Sequence, residues 1–206
     1  LFEQTKIAGV LLAGGQARRM GGGDKCLRPL AGRPILSYVL ERVRPQVGPL
    51  LLNAHGDALR FAEFDLPVAT DVVEGHAGPL AGILTGMEWA RHKAPGCEWL
   101  ASFATDAPFL PDDLVARLLR AVKEEGAEMA RAFSLGRAHP VFALWPVALA
   151  GELRHAVVEK KFRKIDAWTG HYRLATVEFA SKSHDPFFNA NRPEDFAEAE
   201  RLIDKS

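Results

Sequence analysis

Two stretches of the chain carry residue types that can handle phosphate. The first is LAGGQARRMGGGDK, Leu12–Lys25, directly after the apolar run Ile7–Leu11. Its glycines can turn backbone N–H groups toward phosphate oxygens, and Arg19 and Lys25 add charged donors. It is not a Walker A loop, because no GxxxxGK[ST] can be read through it. It is not a dinucleotide fingerprint either, because Cys26 stands where the third glycine after Gly21-x-Gly23 belongs. A phosphate cradle and a solvated surface loop are the two readings this composition allows. The second stretch is ATDAPFLP, Ala104–Pro111. Asp106 falls at the end of an apolar run, and Pro108 stops a helix from starting at once. A lone carboxylate there suits a hard cation such as Mg²⁺, which takes one or two carboxylates and completes its shell with water and phosphate oxygens. The alternative for Asp106 is an Asx-turn or a helix cap. Asp71 ends an earlier apolar run in the same manner, so two carboxylates and one basic loop can share a rim.

These residues need elements that deliver them to one place. Ile7–Leu12 reads as a buried strand because it is nearly continuous in apolar residues. Pro34 opens a helix with Ile35, Leu36, Val39, Leu40 and Val43 on one face, and Pro45 ends it. Strands are expected at 50–53, 68–71 and 99–104, with a helix over 78–92 between the last two. A further helix follows Pro111 and stops at Gly126. Strands at 129–133 and 139–144, a helix over about 147–160, a strand near 174–179 and a last helix opened by Pro193 complete the reading. This alternation predicts one α/β domain built on a mostly parallel sheet with helices on both faces. Ligands in such sheets sit beyond the carboxyl ends of the strands, where the glycine loop and Asp106 fall.

The bulk numbers are those of an ordinary globular chain: 206 residues, 48% hydrophobic and 25% charged. Lysine plus arginine number 26 and aspartate plus glutamate 26, so no global field favours nucleic acid, and a polyanion must be met by a local cluster. The two cysteines, Cys26 and Cys97, form no CxxC and read as reduced thiols. No apolar stretch reaches the length of a membrane span, and no signal-peptide pattern opens the sequence. The expectation is a soluble, cytoplasmic protein. Seven histidines offer no HExxH spacing, and no Ser-His-Asp or Cys-His arrangement is evident.

Taken together, LAGG at 12–15, RMGGGDK at 19–25, GPLAGI at 78–83, TDAPFLP at 105–111, HPVFAL at 139–144 and FFNANRPEDF at 187–196 resemble the molybdenum cofactor guanylyltransferases over nearly the whole chain. The resemblance implies a three-layer, Rossmann-like nucleotidyltransferase fold, with residues 1–125 binding nucleotide and 126–206 binding molybdopterin. It implies transfer of GMP from GTP to the terminal phosphate of molybdopterin, with release of pyrophosphate. Leu12, Ala13, Gly14 and Gly15 would lie at the guanine end of GTP, Lys25 would contact phosphates, and Asn53 and Asp71 would complete the nucleotide site. Asp106 would hold Mg²⁺, or Mn²⁺ in its place. His139, Asn189 and Asn191 would help form the molybdopterin pocket. Trp89, Trp99, Trp145 and Trp168 are expected to pack the core, with flanking a pterin the alternative for Trp168, in a loop-like segment. Transient contacts with molybdopterin-delivering and molybdoenzyme-maturation proteins are implied, with no nucleic acid or membrane partner.

The chain departs from the family where Asn53 is followed by Ala54, His55 and Gly56 instead of a further asparagine and an arginine, and where Cys26 replaces a small residue. The nearest rival is a nucleotidyltransferase of other specificity, such as one using CTP on molybdopterin or on a sugar phosphate; sibling cytidylyltransferases tend to carry alanine at the position of Gly14. A non-catalytic carrier module on the same fold is the rival from another class, and Lys25 and Asp106 argue against it.

Overall fold

The computed structural model describes residues 6–14, 24–74, 78–181 and 184–203. Its centre is one seven-stranded sheet. β1 (Ile7–Leu12) lies inside it, flanked by β4 (Leu50–Asn53) and β6 (Trp99–Ala104), both parallel to it. The bounds of all three coincide with the sequence expectation, because continuous apolar runs have only the doubly covered interior of a parallel sheet to occupy. β5 (Val68–Ala69) extends the sheet beyond β4 and stops two residues short of Asp71. On the other side the order continues as β8 (Arg137–Pro146), β7 (Met129–Ser134) and β9 (Leu174–Glu178). β8 runs antiparallel to both β6 and β7, and β7 and β9 are parallel.

Alternation along β1 sends Ile7 and Leu11 to one face and Ala8 and Val10 to the other, and each face has its own core. The first core takes in α1 (Ile35–Val43), α3 (Leu114–Glu125) and α6 (Pro193–Ile203). The second takes in α2 (Pro79–Lys93), α4 (Ala150–Val158) and α5 (Ile165–Thr169). The result is a three-layer α/β/α arrangement, as expected. Gly126 caps α3 in the left-handed conformation, φ 60°, which explains the stop read from sequence.

Several features differ from the sequence reading. A short hairpin, β2 (Pro29–Leu30) and β3 (Arg33–Pro34), turns through Ala31 and Gly32, both at positive φ. The helix expected at 147–160 begins as a 3-10 turn, Val147–Leu149, and is α-helical only over α4. Trp168 is not in a loop. It belongs to α5, is 2% exposed, and packs against Trp145 and Tyr172 with centroids 5.8 and 5.2 Å away. Core packing, the main expectation for Trp168, is what the structure shows, and the alternative place beside a pterin falls away.

Candidate active site

The parallel strands end level with one another. Leu12 pairs with Asn53 on one side and Ala104 on the other, and Asn53 pairs with Ala69. Residues just past these positions therefore share the carboxyl edge of the sheet, and two groups of side chains form there. Gly15 and Arg19 lie outside the described residues.

The first group surrounds a cavity of about 330 Å³ lined by Leu12, Gly14, Asn53, His55, Asp71 and Gly82, among others. Ala13, buried next to Gly14, donates its N–H to the Asn53 carbonyl at 2.9 Å. Asn53 is 3% exposed, and its amide nitrogen donates to the Ala69 carbonyl at 3.2 Å and to Asp71 Oδ1 at 3.0 Å. The other oxygen of Asp71 faces His55 Nε2 at 3.2 Å. Asn53 and Asp71 are thus brought together as expected, while His55 is a participant that sequence reasoning noted only as a departure. The floor is the N-terminal half of α2. A Cβ on Gly82 would lie 2.5 Å from Asn53 Oδ1 and 2.6 Å from Leu12 Cδ2, so only glycine lets the helix approach the strands here.

The second group centres on Lys25, in the 3-10 turn Lys25–Leu27. Its Nζ donates to Asp106 Oδ2 at 2.5 Å and to Asn191 Oδ1. Asn189, with its amide nitrogen turned inward, donates to Asp106 Oδ1 at 3.2 Å and to the Phe187 carbonyl at 3.3 Å. The backbone N–H of Ala190 donates to the Asp106 carbonyl at 3.0 Å. The segment before α6 therefore returns to the sheet edge and places both asparagines on the Lys25–Asp106 pair. Beneath it, Cys26 is 2% exposed. Burial first, and then the nearby Asp24, push its thiol up to about 12, so it stays protonated and serves as a small apolar filler.

His139 lies elsewhere. It is a buried residue of β8, its ring tilted against that of Phe187 with centroids 4.6 Å apart, and its Nε2 2.7 Å from Ser134 Oγ. Ser134 donates to Asp185 Oδ1 at 2.7 Å, so its oxygen is left to accept from the Nε2–H of a neutral imidazole. Burial lowers the pKa of His139, Asp185 opposes that shift, and Arg137 adds to it. Asp185 also accepts from the Phe187 N–H at 2.9 Å and from Arg137 at 2.9 Å. Burial works against its ionisation, yet these bonds together hold its pKa below the usual value. Ser, His and Asp thus meet in space although no such arrangement was legible in sequence. Ser134 is fully buried between the other two, so this is a brace for the segment carrying Asn189 and Asn191, not a nucleophilic triad.

The chain's relatives agree with this architecture. Residues 9–175 match the model of the MobA-like NTP transferase domain family. A molybdenum cofactor guanylyltransferase of Bradyrhizobium sp. (strain ORS 278) is 53% identical over 96% of this chain and 93% of its own length. That of Nitrobacter hamburgensis is 54% identical, with 98% and 96% covered. Among solved structures, molybdopterin-guanine dinucleotide biosynthesis protein A from Archaeoglobus fulgidus is similar in fold, with a TM-score of 0.73, 23% identity, and 97% and 100% of the two chains covered. Sheet, strand-end site and sequence lead to one conclusion: the chain belongs to the molybdenum cofactor guanylyltransferases of the MobA-like nucleotidyltransferase family.

Proposed function

We propose that this chain joins GMP from GTP to the terminal phosphate of molybdopterin, releasing pyrophosphate and forming the guanine dinucleotide cofactor. The observation that carries the reading is the convergence of Lys25, Asp106, Asn189 and Asn191 at the carboxyl edge of the sheet. In this reading Leu12, Ala13, Gly14 and Gly15 meet the guanine end, Asn53 and Asp71 complete the nucleotide site, and Arg19 joins Lys25 on the phosphates. Residues 1–125 hold the nucleotide and 126–206 the molybdopterin, within one nucleotidyltransferase domain. Because Asn189 and Asn191 touch the Lys25–Asp106 pair, their part is at the phosphate of molybdopterin, next to the reacting centre. His139 supports them from behind. Cys26 and Cys97, both buried and neither in a disulfide, suit a reducing, cytoplasmic setting.

The attacking group is a phosphate monoester, whose second pKa is about 6, so it arrives as an anion and needs no general base. The obstacle is repulsion: two unit charges about 4 Å apart repel by roughly 4 kcal/mol at an effective dielectric near 20. That is worth about a thousandfold in rate. Lys25, less than one-fifth exposed, supplies a fixed cation where water screens it poorly. Asp106 offers a single carboxylate, and no cluster of three or more His, Cys, Asp or Glu is present among the described residues. That donor set fits Mg²⁺ arriving with the triphosphate better than a resident metal cage. When bound at Asp106, Mg²⁺ would act as a Lewis acid, neutralising charge on the phosphoryl oxygens.

The test is calorimetric titration with GTP, CTP and ATP, with and without Mg²⁺, followed by product analysis with molybdopterin. GTP is expected to bind in preference to the others, Lys25→Ala to lose most of that binding while remaining folded, and Asp106→Asn to lose the Mg²⁺-dependent part. A preference for CTP would overturn the assigned product, and full activity of Asp106→Asn would remove that carboxylate from the site.

A further inference from the structure

We propose that Arg60 is a positioning residue of the nucleotide site, a clasp that holds the turn carrying Lys25 against the loop carrying His55. This rests on the reading of those two segments as walls of the GTP site. Arg60 lies in a 3-10 stretch, Ala58–Phe64, that Asp57 opens by accepting from the Leu59 N–H at 2.9 Å, and that Phe61 and Phe64 anchor in the core. Its guanidinium stacks over the Phe61 ring, 4.5 Å from the centroid. From that fixed base it reaches two ways. Nε donates to Asp24 Oδ2, and Nη2 donates to Asp24 Oδ1 at 3.2 Å. Nη2 also donates to the His55 carbonyl, and Nη1 to the Asp57 carbonyl.

Two further details fit a built clasp. Asp24 stands at the N-cap of the turn that begins with Lys25, where an aspartate ordinarily accepts from its own turn. Here it makes no capping bond, and both of its oxygens go to Arg60. Gly56, at φ +80°, lies between the two carbonyls Arg60 holds, and a Cβ there would sit 3.3 Å from Nη1. The loop after Asn53 lacks an arginine of its own, and a guanidinium from four residues beyond Gly56 enters it instead. A planar fork with five donors can hold both oxygens of a carboxylate and two carbonyls at once, four bonds where an ammonium has three donors and no fork.

The connection has a functional consequence. Lys25 follows Asp24 directly, and His55 contacts Asp71, with both residues lining the cavity. Arg60 therefore sets the spacing between the phosphate cation and the wall that includes Asp71, without touching nucleotide itself.

The experiment uses the full chain and four variants: Arg60→Met, Arg60→Lys, Asp24→Asn and the double Arg60→Met/Asp24→Asn. Amide hydrogen exchange without nucleotide is read at residues 24–27 and 54–57, and GTP affinity with Mg²⁺ is read by calorimetry. Arg60→Met is expected to speed exchange in both segments and to weaken GTP about tenfold, at a melting temperature close to that of the parent. Arg60→Lys should not rescue it, and the double variant should be no weaker than the worse single one. GTP affinity within twofold of the parent, faster exchange in only one segment, or losses that multiply in the double variant would each overturn the clasp. If Arg60→Met does not fold, Asp24→Asn decides by the same criteria. Failure of the parent to bind GTP would count against the proposed function alone, and the exchange data would still decide the clasp.

Discussion

Buried in β8, His139 donates through Nε2 to Ser134, and burial holds its pKa below the ordinary 6.5. The unfolded chain takes up a proton near pH 6.5 that the native imidazole refuses, so stability falls as pH drops below that point, toward the native pKa. Asp185 adds a second loss below pH 3.8, where the unfolded carboxylate protonates before the hydrogen-bonded native one. Melting temperature should therefore decline between pH 7 and 5, and His139→Gln, which keeps a donor for Ser134, should flatten that decline. An unchanged slope would show that other groups govern it. At this scale legibility depended on where a side chain gets its meaning. Lys25 and Asp106 were visible because a cation after a glycine loop and a carboxylate after a buried strand are meaningful in place. Arg60 and Asp185 were not, since each acquires its role from partners 36 and 51 residues away.

Among the elements, α2 shows how backbone proximity builds a site. Gly82 meets Asn53 and Leu12, and four residues on, Gly86 meets Val10 and Leu100, where a Cβ would approach to 2.9 Å. The helix thereby lies close against β1, β4 and β6. Gly82→Ala would drive a methyl into the Asn53 amide, so it is expected to destabilise the fold by about 1–3 kcal/mol and to weaken nucleotide binding by displacing Asn53 and Asp71. Denaturant melts and GTP titration check both, and unchanged affinity would mean that Asn53 does not shape the pocket. Strands β1, β4 and β6 were readable because each is a continuous apolar run. The β2–β3 hairpin was not, being only two residues a side. The direction of β8 was hidden as well: its turn from β7 uses Leu135 and Gly136 at positive φ, and an exposed leucine is a poor advertisement for a tight turn.

For the molecule as a whole, one sheet is the shared wall of two cores, and its strand β8 runs against both neighbours. Trp145 in β8 donates to Ser102 in β6 at 2.8 Å, and Ser102 donates in turn to the Val141 carbonyl. Since neither core can keep its shape without the sheet, tryptophan fluorescence and far-UV circular dichroism should report a single coincident unfolding transition. Ser102→Ala, which strands a buried indole N–H, should lower it by about 1–3 kcal/mol; separate transitions would show the strands beyond β6 to be an independent unit. The order of layers was legible because helix and strand periodicities alternate. The return of the 185–191 segment to Asp106 was not, because no local pattern encodes a contact between distant stretches. That contact also bears on synthesis of the protein. Lys25 and Asn191 are 166 positions apart, so a chain still emerging from the ribosome possesses the lysine long before it possesses the asparagine. The Lys25–Asn191 contact is therefore withheld through most of translation and arrives in one late event.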